Sequence, residues 1–282
     1  MGRFILSAFA DEYDRDLETQ LRTLCKFGIG YLEPRFINDK NIADLDKAEA
    51  EEMKRMLDCY GIGVSSIGSP LGKIRLDSDI DGHMEKARRV FETANVLGTK
   101  NVRVFSFYPP KDSDKKIEDM RGEVMEALEK MLRIADEHQI LLCHENEARI
   151  YGERAEMCLD IMKTFGGRIR TVFDMGNFTL EKHDPTEAYS LLKEYIEYFH
   201  IKDALYAGAI VPAGKGEAKI AEILADFSAC TDKDIFVTLE PHLQTFDGLN
   251  ALTDSTFDNP YKYKDQRSAF ADAVEKLREI IG

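Results

Sequence analysis

Four apolar runs in the second half of the chain each end in acidic, amide or imidazole side chains. The segments are HENE (144–147), FDMGN (173–177), HIKD (200–203) and LEPH (239–242). If the runs are successive parallel strands of one barrel, their carboxyl ends meet at one rim. One residue of each segment then converges there: Glu145, Asp174, His200 and Glu240. Three carboxylates at such short range repel one another strongly unless a cation lies among them.

One imidazole and three carboxylates form a ligand set for a hard or borderline divalent ion such as Mn²⁺, Mg²⁺, Co²⁺ or Zn²⁺. Each residue alone is weak support, because an acid after a strand is commonly a helix N-cap and a strand histidine is commonly structural. Their coincidence on four successive strand ends favours a metal site. His144 is interpreted as structural, because strand alternation points it away from Glu145 and toward the helices.

These residues need a scaffold, and the chain alternates short apolar runs with amphipathic helical stretches from end to end. The runs are rich in β-branched and aromatic residues and nearly continuously apolar, as in parallel strands covered on both faces. The predicted strands are Phe4–Phe9, Tyr31–Pro34, Val64–Ile67, Val102–Ser106, Ile140–Glu145, Thr171–Asp174, Tyr198–Ile201 and Phe236–Glu240. A helical period between two of them is Met84, Ala87, Phe91, Ala94 and Leu97.

Glycine marks four predicted junctions between a helix and the next strand, at Gly28, Gly61, Gly98 and Gly166. Glycine accepts the left-handed conformation that ends a helix without a Cβ penalty. Alternating units imply right-handed crossovers and a parallel sheet. Eight units in 282 residues predict an α/β fold, a (β/α)₈ TIM barrel that forms a single domain over residues 1–282. A dinucleotide fold is disfavoured, because no G-x-G-x-x-G follows the first strand.

The charge balance limits the classes of partner. Lys and Arg number 38 and Asp and Glu 52, a formal net charge of −14, which disfavours nucleic acid and anionic membranes. No apolar stretch is long enough to predict a membrane span, and the apolar start of the chain meets acids at once, unlike a secretory signal. The five scattered cysteines lack any CxxC pattern and favour free thiols in a reducing cytoplasm.

The four strand-end segments resemble those of the sugar isomerase/epimerase superfamily with the xylose-isomerase-like barrel. Earlier motifs extend the resemblance over nearly the whole chain: ADE (10–12), LEPR (32–35), SPLGK (69–73) and RVFSFY (103–108). In that superfamily, Glu, Asp, His and Glu at these strand ends bind one divalent metal, commonly Mn²⁺. The resemblance therefore implies one metal ion held by Glu145, Asp174, His200 and Glu240.

In epimerase members the two glutamates also transfer protons on opposite faces of the sugar, a role that here falls to Glu145 and Glu240. A metal that holds two oxygens of a hydroxy-ketone lowers the cost of an enediolate, and a carboxylate on each face can move the proton. This implies an isomerase or epimerase of a small sugar or sugar phosphate. Two positions depart from the family pattern: Asn177 and Glu147 each stand where relatives often have histidine.

Three candidate substrate contacts lie close to the predicted ligands. Lys202 and His242 each follow a ligand by two positions, so alternation points them into the same pocket. Lys202 could neutralise the third carboxylate, and His242 could donate to a substrate hydroxyl. Asn177, three residues after a predicted ligand, is the third candidate.

Three basic residues are further candidate substrate contacts, each with a structural alternative. Arg35 follows the second strand and could instead pair with Glu33. Arg103 lies inside the fourth strand and could pair with Glu33 or with a carboxylate of the rim. Lys73 lies in a loop shaped by proline and glycine that suits a phosphate or carboxylate, but a solvated surface position is equally consistent.

Other functions stay open at this point. If the returned proton helps a β-hydroxyl to leave, the same residues make a dehydratase of a keto-polyol. A nuclease on abasic DNA is disfavoured by the charge and because the three-metal cluster of that branch needs more histidines than this chain places at the rim. A non-catalytic binding barrel would not explain why four residues of metal-ligand type stand at successive strand ends.

The longest irregular stretch runs from Leu243 to about Lys264. A loop of this length is commonly functional or part of an interface. Its aromatic residues, Phe246, Phe257, Tyr261 and Tyr263, fit either a lid or a dimer contact, so a homo-oligomer is left open.

Overall fold

Eight parallel strands form the centre of the computed structural model, which describes residues 1–114, 116–244 and 260–282. In chain order they are β1 Phe4–Ala8, β2 Tyr31–Leu32, β3 Gly63–Val64, β4 Asn101–Val104, β5 Leu141–Glu145, β6 Ile169–Asp174, β7 Ile196–Ile201 and β8 Ile235–Leu239. The hydrogen-bonded order is β3-β2-β1-β8-β7-β6-β5-β4, with parallel pairing throughout. Each predicted strand overlaps one of these strands.

The two ends of this strand order meet, so the sheet closes into a ring. Ile67, just beyond β3, forms a parallel bridge to Val102 of β4. The Ile67 N–H donates to the carbonyl of Asn101 at 2.9 Å, and the Ile67 carbonyl accepts from the N–H of Arg103 at 3.0 Å. The predicted α/β barrel is therefore confirmed.

Helices connect the strands and pack on the outside of the ring. They are α1 Leu17–Lys26, α2 Lys47–Tyr60, α3 Ile80–Leu97, α4 Arg121–His138, α5 Ala155–Thr164, α6 Met175–Leu180, α7 Pro185–Leu192, α8 Ile220–Ala229 and α9 Gln266–Ile281. Aspartate side chains cap the first turns of several helices, as Asp46 does for α2. The four predicted junction glycines have φ between 59° and 84°, which confirms the left-handed backbone expected at these positions.

Alternation along the strands divides the buried side chains into two sets. Outward side chains such as Leu142 join the helices in the main hydrophobic core. A second, inner cluster lies inside the ring and consists of Cys143, Val172 and Tyr198. The residue two positions further along each of these strands points the same way, because the side-chain period of a strand is two. This places three predicted site residues at the carboxyl end of the ring: Glu145, Asp174 and His200.

The predicted irregular stretch from Leu243 to Lys264 lies largely outside the described residues, including Phe246 and Phe257. Its interpretation as a lid or dimer contact stays a prediction, as does the assignment of residues 1–282 to one domain. Within the described ranges, no helix combines the length and apolar character needed to cross a bilayer.

Candidate metal centre

The carboxyl ends of β5 to β8 bring four side chains together inside the ring. Glu145 and Asp174 end β5 and β6, His200 lies in β7, and Glu240 directly follows β8. One ligand atom from each lies within 4.8 Å of the corresponding atoms of the others. We call these four residues the rim cluster. All are buried, with no more than 3% of any residue exposed.

The imidazole of His200 has carboxylates on both sides. Its Nδ1 lies 2.9 Å from Glu145 Oε1 and 3.4 Å from Glu240 Oε2, and its Nε2 lies 3.2 Å from Glu33 Oε2. Burial lowers the pKa of His200, but Glu145 and Glu33 together raise it well above the usual value. An imidazolium proton thus supplies part of the positive charge that these carboxylates require.

The three carboxylates of the rim cluster differ in acidity. Burial raises the pKa of Asp174 to about 6, and Lys202 offsets this only in part. Burial also acts on Glu145, but His200 and Arg103 outweigh it and lower the pKa of Glu145 to about 2. Burial also raises the pKa of Glu240, but Lys202, His242 and His200 together outweigh it and hold that pKa well below the usual value. Both glutamates are therefore ionised at neutral pH, and Asp174 is the more readily protonated acid.

The two carboxylate oxygens of Asp174 have separate partners. Oδ1 accepts the backbone N–H of Asn177 at 2.8 Å and so caps α6. Oδ2 accepts from Lys202 Nζ at 2.9 Å. The N-cap role that commonly explains an aspartate after a strand therefore coexists with a place in the rim cluster. Because the helix holds one oxygen, the other is directed toward the centre.

Lys202 inserts an ammonium group among these acids. Its Nζ lies 2.9 Å from Asp174 Oδ2, 3.2 Å from Glu240 Oε2 and 3.0 Å from Asn177 Oδ1. Burial lowers the pKa of Lys202, but Asp174 and Glu240 raise it above the usual value. The side chain is therefore charged and lies in the same pocket as His200, where alternation along β7 predicts it.

Arg103 extends from β4 to Glu145. Its guanidinium donates to Glu145 Oε2 at 3.1 Å and lies 3.7 Å from Glu240 Oε1. Two further donors reach the backbone carbonyls of Gly68 and Ser69, at 3.1 and 3.4 Å. Of the two predicted partners for this arginine, the structure therefore selects the rim carboxylate.

Arg35 plays the corresponding part for Glu240. It donates to Glu240 Oε1 at 2.8 Å and holds both oxygens of Asp11, at 2.9 and 3.2 Å. The predicted alternative that Arg35 pairs with Glu33 is wrong. The strand ends at Leu32, so alternation no longer relates positions 33 and 35, and Glu33 turns toward β7 instead.

Lys73 lies at the mouth of the ring, with 12% of its side chain exposed. Its Nζ is 2.8 Å from Glu147 Oε2 and 4.3 Å from the ring centre of Phe105. The fully solvated alternative is therefore wrong. Glu147, one of the two departures from the family pattern, acts as the partner of this lysine.

The remaining predicted contacts also border the rim cluster. His242 Nε2 lies 3.6 Å from Glu240 Oε1 and 3.4 Å from Glu12 Oε1, and its backbone N–H donates to Glu12 at 2.9 Å. The side-chain amide of Asn177 donates to the carbonyl of Asn146 at 2.9 Å. Substrate contact by these residues stays a prediction.

His144 lies apart from the rim cluster, with Nε2 2.9 Å from Ser106 Oγ, as alternation predicts. Three buried acids near the centre were missed as site residues by sequence reasoning: Asp11, Glu12 and Glu33. They lie in the segments after β1 and β2. A search for acidic side chains in the segments after all eight strands, and not only after the last four, would have identified these three acids.

The residues present fit a single divalent ion. Three carboxylates and one imidazole nitrogen converge without sulfur, the set that Mn²⁺, Mg²⁺, Co²⁺ and Zn²⁺ share. The positive groups of His200 and Lys202, at 2.9 Å from Glu145 and Asp174, show that the carboxylates require positive charge at this point.

The family model described as xylose isomerase-like TIM barrel matches residues 21–278 of the chain. No curated protein matches the sequence. Several solved structures share the fold. A D-psicose 3-epimerase with D-tagatose from Clostridium cellulolyticum H10 aligns at a TM-score of 0.74 and 15% identity, over 100% of this chain and 99% of that chain.

Two further structures align over similar lengths. A probable 3-DHS dehydratase involved in petrobactin synthesis from Bacillus anthracis has a TM-score of 0.70 and 17% identity, over 99% of each chain. A xylose isomerase-like TIM barrel protein from Mycobacterium smegmatis in complex with magnesium has a TM-score of 0.70 and 15% identity, over 100% of this chain and 98% of that chain. At these identities the likeness shows the fold.

Proposed function

The chain belongs to the xylose isomerase-like TIM barrel family, and on that premise we propose that it is a metal-dependent sugar isomerase or epimerase. The observation that carries the proposal is the convergence of four buried ligand atoms within 4.8 Å of one another. They lie at the rim where barrels of this type hold their active sites. Burying several carboxylates close together destabilises the folded protein, and binding of a cation would offset that cost.

The rim cluster is proposed to bind one divalent ion, with Mn²⁺ the first candidate. When bound, such an ion supplies Lewis acidity to neighbouring oxygens of a hydroxy-ketone and so favours the enediolate. His200 and Asp174 are proposed to act only as metal ligands, whereas the two glutamates are also proposed to transfer protons.

Glu145 and Glu240 are proposed to move the proton. They enter the centre from β5 and from the end of β8, with β6 and β7 between them, so their carboxylates reach it from different strands of the ring. Both are ionised, so either can take a proton from the carbon beside the carbonyl. Return of the proton to the opposite face inverts that carbon, and return to the neighbouring carbon exchanges aldose and ketose.

The substrate is proposed to be an uncharged sugar rather than a sugar phosphate. Among the described residues, four cations near the centre already face a carboxylate at 2.8 to 3.1 Å: Arg35 and Asp11, Arg103 and Glu145, Lys202 and Asp174, and Lys73 and Glu147. A phosphate would have to displace one of these partners. At the first three pairs, whose acids are buried, this would leave the acid unpaired at a cost of about 3–5 kcal/mol. Beside Lys73, whose partner Glu147 is partly exposed, it would place a second anion next to that carboxylate.

Proton exchange with solvent tests this proposal. Mn²⁺-loaded protein is incubated in D₂O with D-fructose, D-ribulose and their phosphates, and the products are followed by NMR. We expect deuterium beside the carbonyl and a new epimer or aldose from an uncharged sugar, with little reaction of its phosphate. Protein stripped with EDTA is the control. Exchange at the same rate in stripped protein would contradict the proposal.

A dehydratase is the second candidate, favoured by one observation. The ammonium of Lys202 lies 3.2 Å from Glu240, so an acid stands beside the base and could protonate a departing hydroxyl. One of the structures that share the fold is itself a probable dehydratase. Incubation with a keto-inositol distinguishes the two candidates, because loss of water creates an enone with ultraviolet absorbance, whereas epimerisation does not.

A further inference from the structure

Glu33 is a fully buried carboxylate that the proposed chemistry does not use. Its Oε1 accepts the hydroxyl of Tyr198 at 2.9 Å, and its two oxygens lie 3.3 and 3.2 Å from Nε2 of His200. Across the described ranges, its one ion pair is with that imidazole. A carboxylate buried this deeply requires a reason, because its desolvation is costly.

The two ring nitrogens of His200 have different surroundings. Nδ1 faces Glu145 at 2.9 Å and Glu240 at 3.4 Å, both members of the rim cluster. Nε2 faces away from that cluster, toward Glu33. A histidine that binds a metal does so through one nitrogen, while the hydrogen bond of the other fixes the tautomer. Nδ1 is therefore the nitrogen that faces the candidate metal position. A metal there would take the place of the Nδ1 proton of the imidazolium, and Nε2 would keep its hydrogen toward Glu33.

We propose that Glu33 is a positioning residue for the metal centre. By accepting the Nε2–H of His200, it fixes the tautomer and the ring orientation that present Nδ1 to the ion. This inference rests on the metal site proposed above. A carboxylate behind a metal-binding imidazole raises the basicity of the ligand, and loss of such a partner lowers metal affinity about 10- to 100-fold.

A second pair of residues holds Glu33 in place. The Tyr198 hydroxyl bridges Glu33 and Ser66, with 2.9 Å to the Oγ of Ser66. Tyr198 precedes His200 by two residues on β7, so both side chains point into the ring. The interior of such barrels is filled mainly by Val, Ile and Leu at this depth. Packing alone therefore does not explain a Glu–Tyr–Ser chain directly beneath a candidate ligand.

Metal affinity separates a positioning role from a structural one. Mn²⁺ binding is measured by calorimetry for the wild type, Glu33→Gln and Ser7→Ala. Ser7 is the matched control, because its buried hydroxyl is hydrogen-bonded to Ser65 at 2.7 Å, whereas the hydrogen bonds of His200 go to Glu145 and Glu33. We expect about 10- to 100-fold weaker binding for Glu33→Gln and little change for Ser7→Ala. Thermal unfolding of the metal-free proteins shows whether each variant folds.

The visible spectrum of the Co²⁺-loaded protein gives a readout that a purely structural role would not change. Its ligand-field bands report the ligands and geometry of the ion, so Glu33→Gln should shift them and Ser7→Ala should not. If the wild type binds no Mn²⁺, the proposed metal site fails. If the wild type binds Mn²⁺ and Glu33→Gln matches it in affinity and spectrum, only the role of Glu33 fails.

Tyr198→Phe keeps the inference testable if Glu33→Gln does not fold. The variant retains the carboxylate but removes the hydroxyl that holds it at 2.9 Å. We expect Mn²⁺ binding several-fold weaker than in the wild type, a smaller loss than for Glu33→Gln. Wild-type affinity in a folded Tyr198→Phe protein, with Glu33→Gln unfolded, would overturn the inference.

Discussion

The two halves of the ring contribute to the centre in different ways. Strands β5 to β8 have five or six residues each and end at the four members of the rim cluster. Strands β2 and β3 have two residues each. The side chains that the first half sends to the centre contact the rim cluster instead of joining it, as Arg35, Arg103 and Glu33 do.

This division of residues between the two halves shows how a barrel can keep several acids buried at one point. The second half carries the groups with ligand chemistry, and the first half supplies the arginines and the hydrogen-bond acceptor that set their charge and orientation. Buried ions are tolerated only when partners satisfy them. Truncation of a candidate ligand in the second half should therefore abolish metal binding, whereas substitutions of its partners in the first half should weaken or misdirect it.

The largest effect is expected from removing a candidate ligand. His200→Ala should lose bound metal and bring activity to background, because three carboxylates without the imidazole leave the ion one ligand short. Elemental analysis of the purified protein measures the metal content. His144→Ala is the control, because that buried histidine of β5 faces Ser106. His144→Ala should lose stability but keep about one ion per chain. Equal loss of metal in His144→Ala and His200→Ala would contradict the assignment of His200 as a ligand.

Next in size are the glutamates of the rim cluster. Glu145→Gln and Glu240→Gln should each slow epimerisation about 10²- to 10⁴-fold, the usual contribution of a general base. If each serves one face, one variant should retain solvent exchange with one epimer and the other variant with the opposite epimer, as NMR in D₂O can show. Glu147→Gln, two residues beyond Glu145 and paired with Lys73, should keep its metal. Equal loss of exchange with both epimers in both variants, each shown by elemental analysis to hold its metal, would exclude two bases.

A smaller effect is expected in the first half. Arg103→Lys keeps the charge but loses the planar fork that holds Glu145 and two backbone carbonyls, so kcat/KM should fall about 10- to 100-fold while the metal stays bound. Arg170→Lys is the control, because that arginine of β6 donates to the carbonyl of Glu194 at the other end of the strand. Equal losses of kcat/KM in Arg103→Lys and Arg170→Lys would contradict a specific role of Arg103 at the centre.

The last effect concerns the stability of the loop that carries Lys73, not the activity. His83 of α3 accepts the N–H of Gly72 at 2.8 Å, and burial lowers the pKa of His83 to about 4. The unfolded chain therefore binds more protons between pH 6.5 and 4, so this contribution is intact above pH 6.5 and is lost as the pH falls. The loss is up to about 3 kcal/mol.

Urea unfolding at pH 7 and pH 4.5 checks this window. His83→Gln should lose less stability on acidification than the wild type, because its side chain does not titrate. Identical pH dependence in the two proteins would show that His83 does not set the acid stability of the first half.

Much of the architecture could be predicted from local patterns. All eight strands, the junction glycines and the convergence of Glu145, Asp174, His200 and Glu240 follow from apolar runs and from what stands at their ends. Such information is local, because a parallel barrel brings its carboxyl strand ends to one rim regardless of the loops between them.

The partners of the arginines were less accessible in this way: for Arg103 the rim carboxylate was one of two alternatives, and the partners of Arg35 were not predicted. Arg35 reaches Glu240 across 205 positions, whereas its sequence neighbour Glu33 pairs elsewhere. Where β2 ends at Leu32, alternation stops, and the direction of each later side chain depends on the backbone path after the strand. The contacts of Arg35 with Glu240 and of Glu33 with His200 were missed for the same reason.

The sequence by itself determined the barrel and the four residue types at its rim, because hydrophobic periodicity and strand ends are properties of short segments. Only the tertiary structure decided which cation neutralises which acid and which nitrogen of His200 faces the rim cluster. Electrostatic pairing depends on distances of about 3 Å between residues far apart in the chain, and on the burial that makes each pair necessary. Both these distances and this burial are set only when the chain folds and the ring closes.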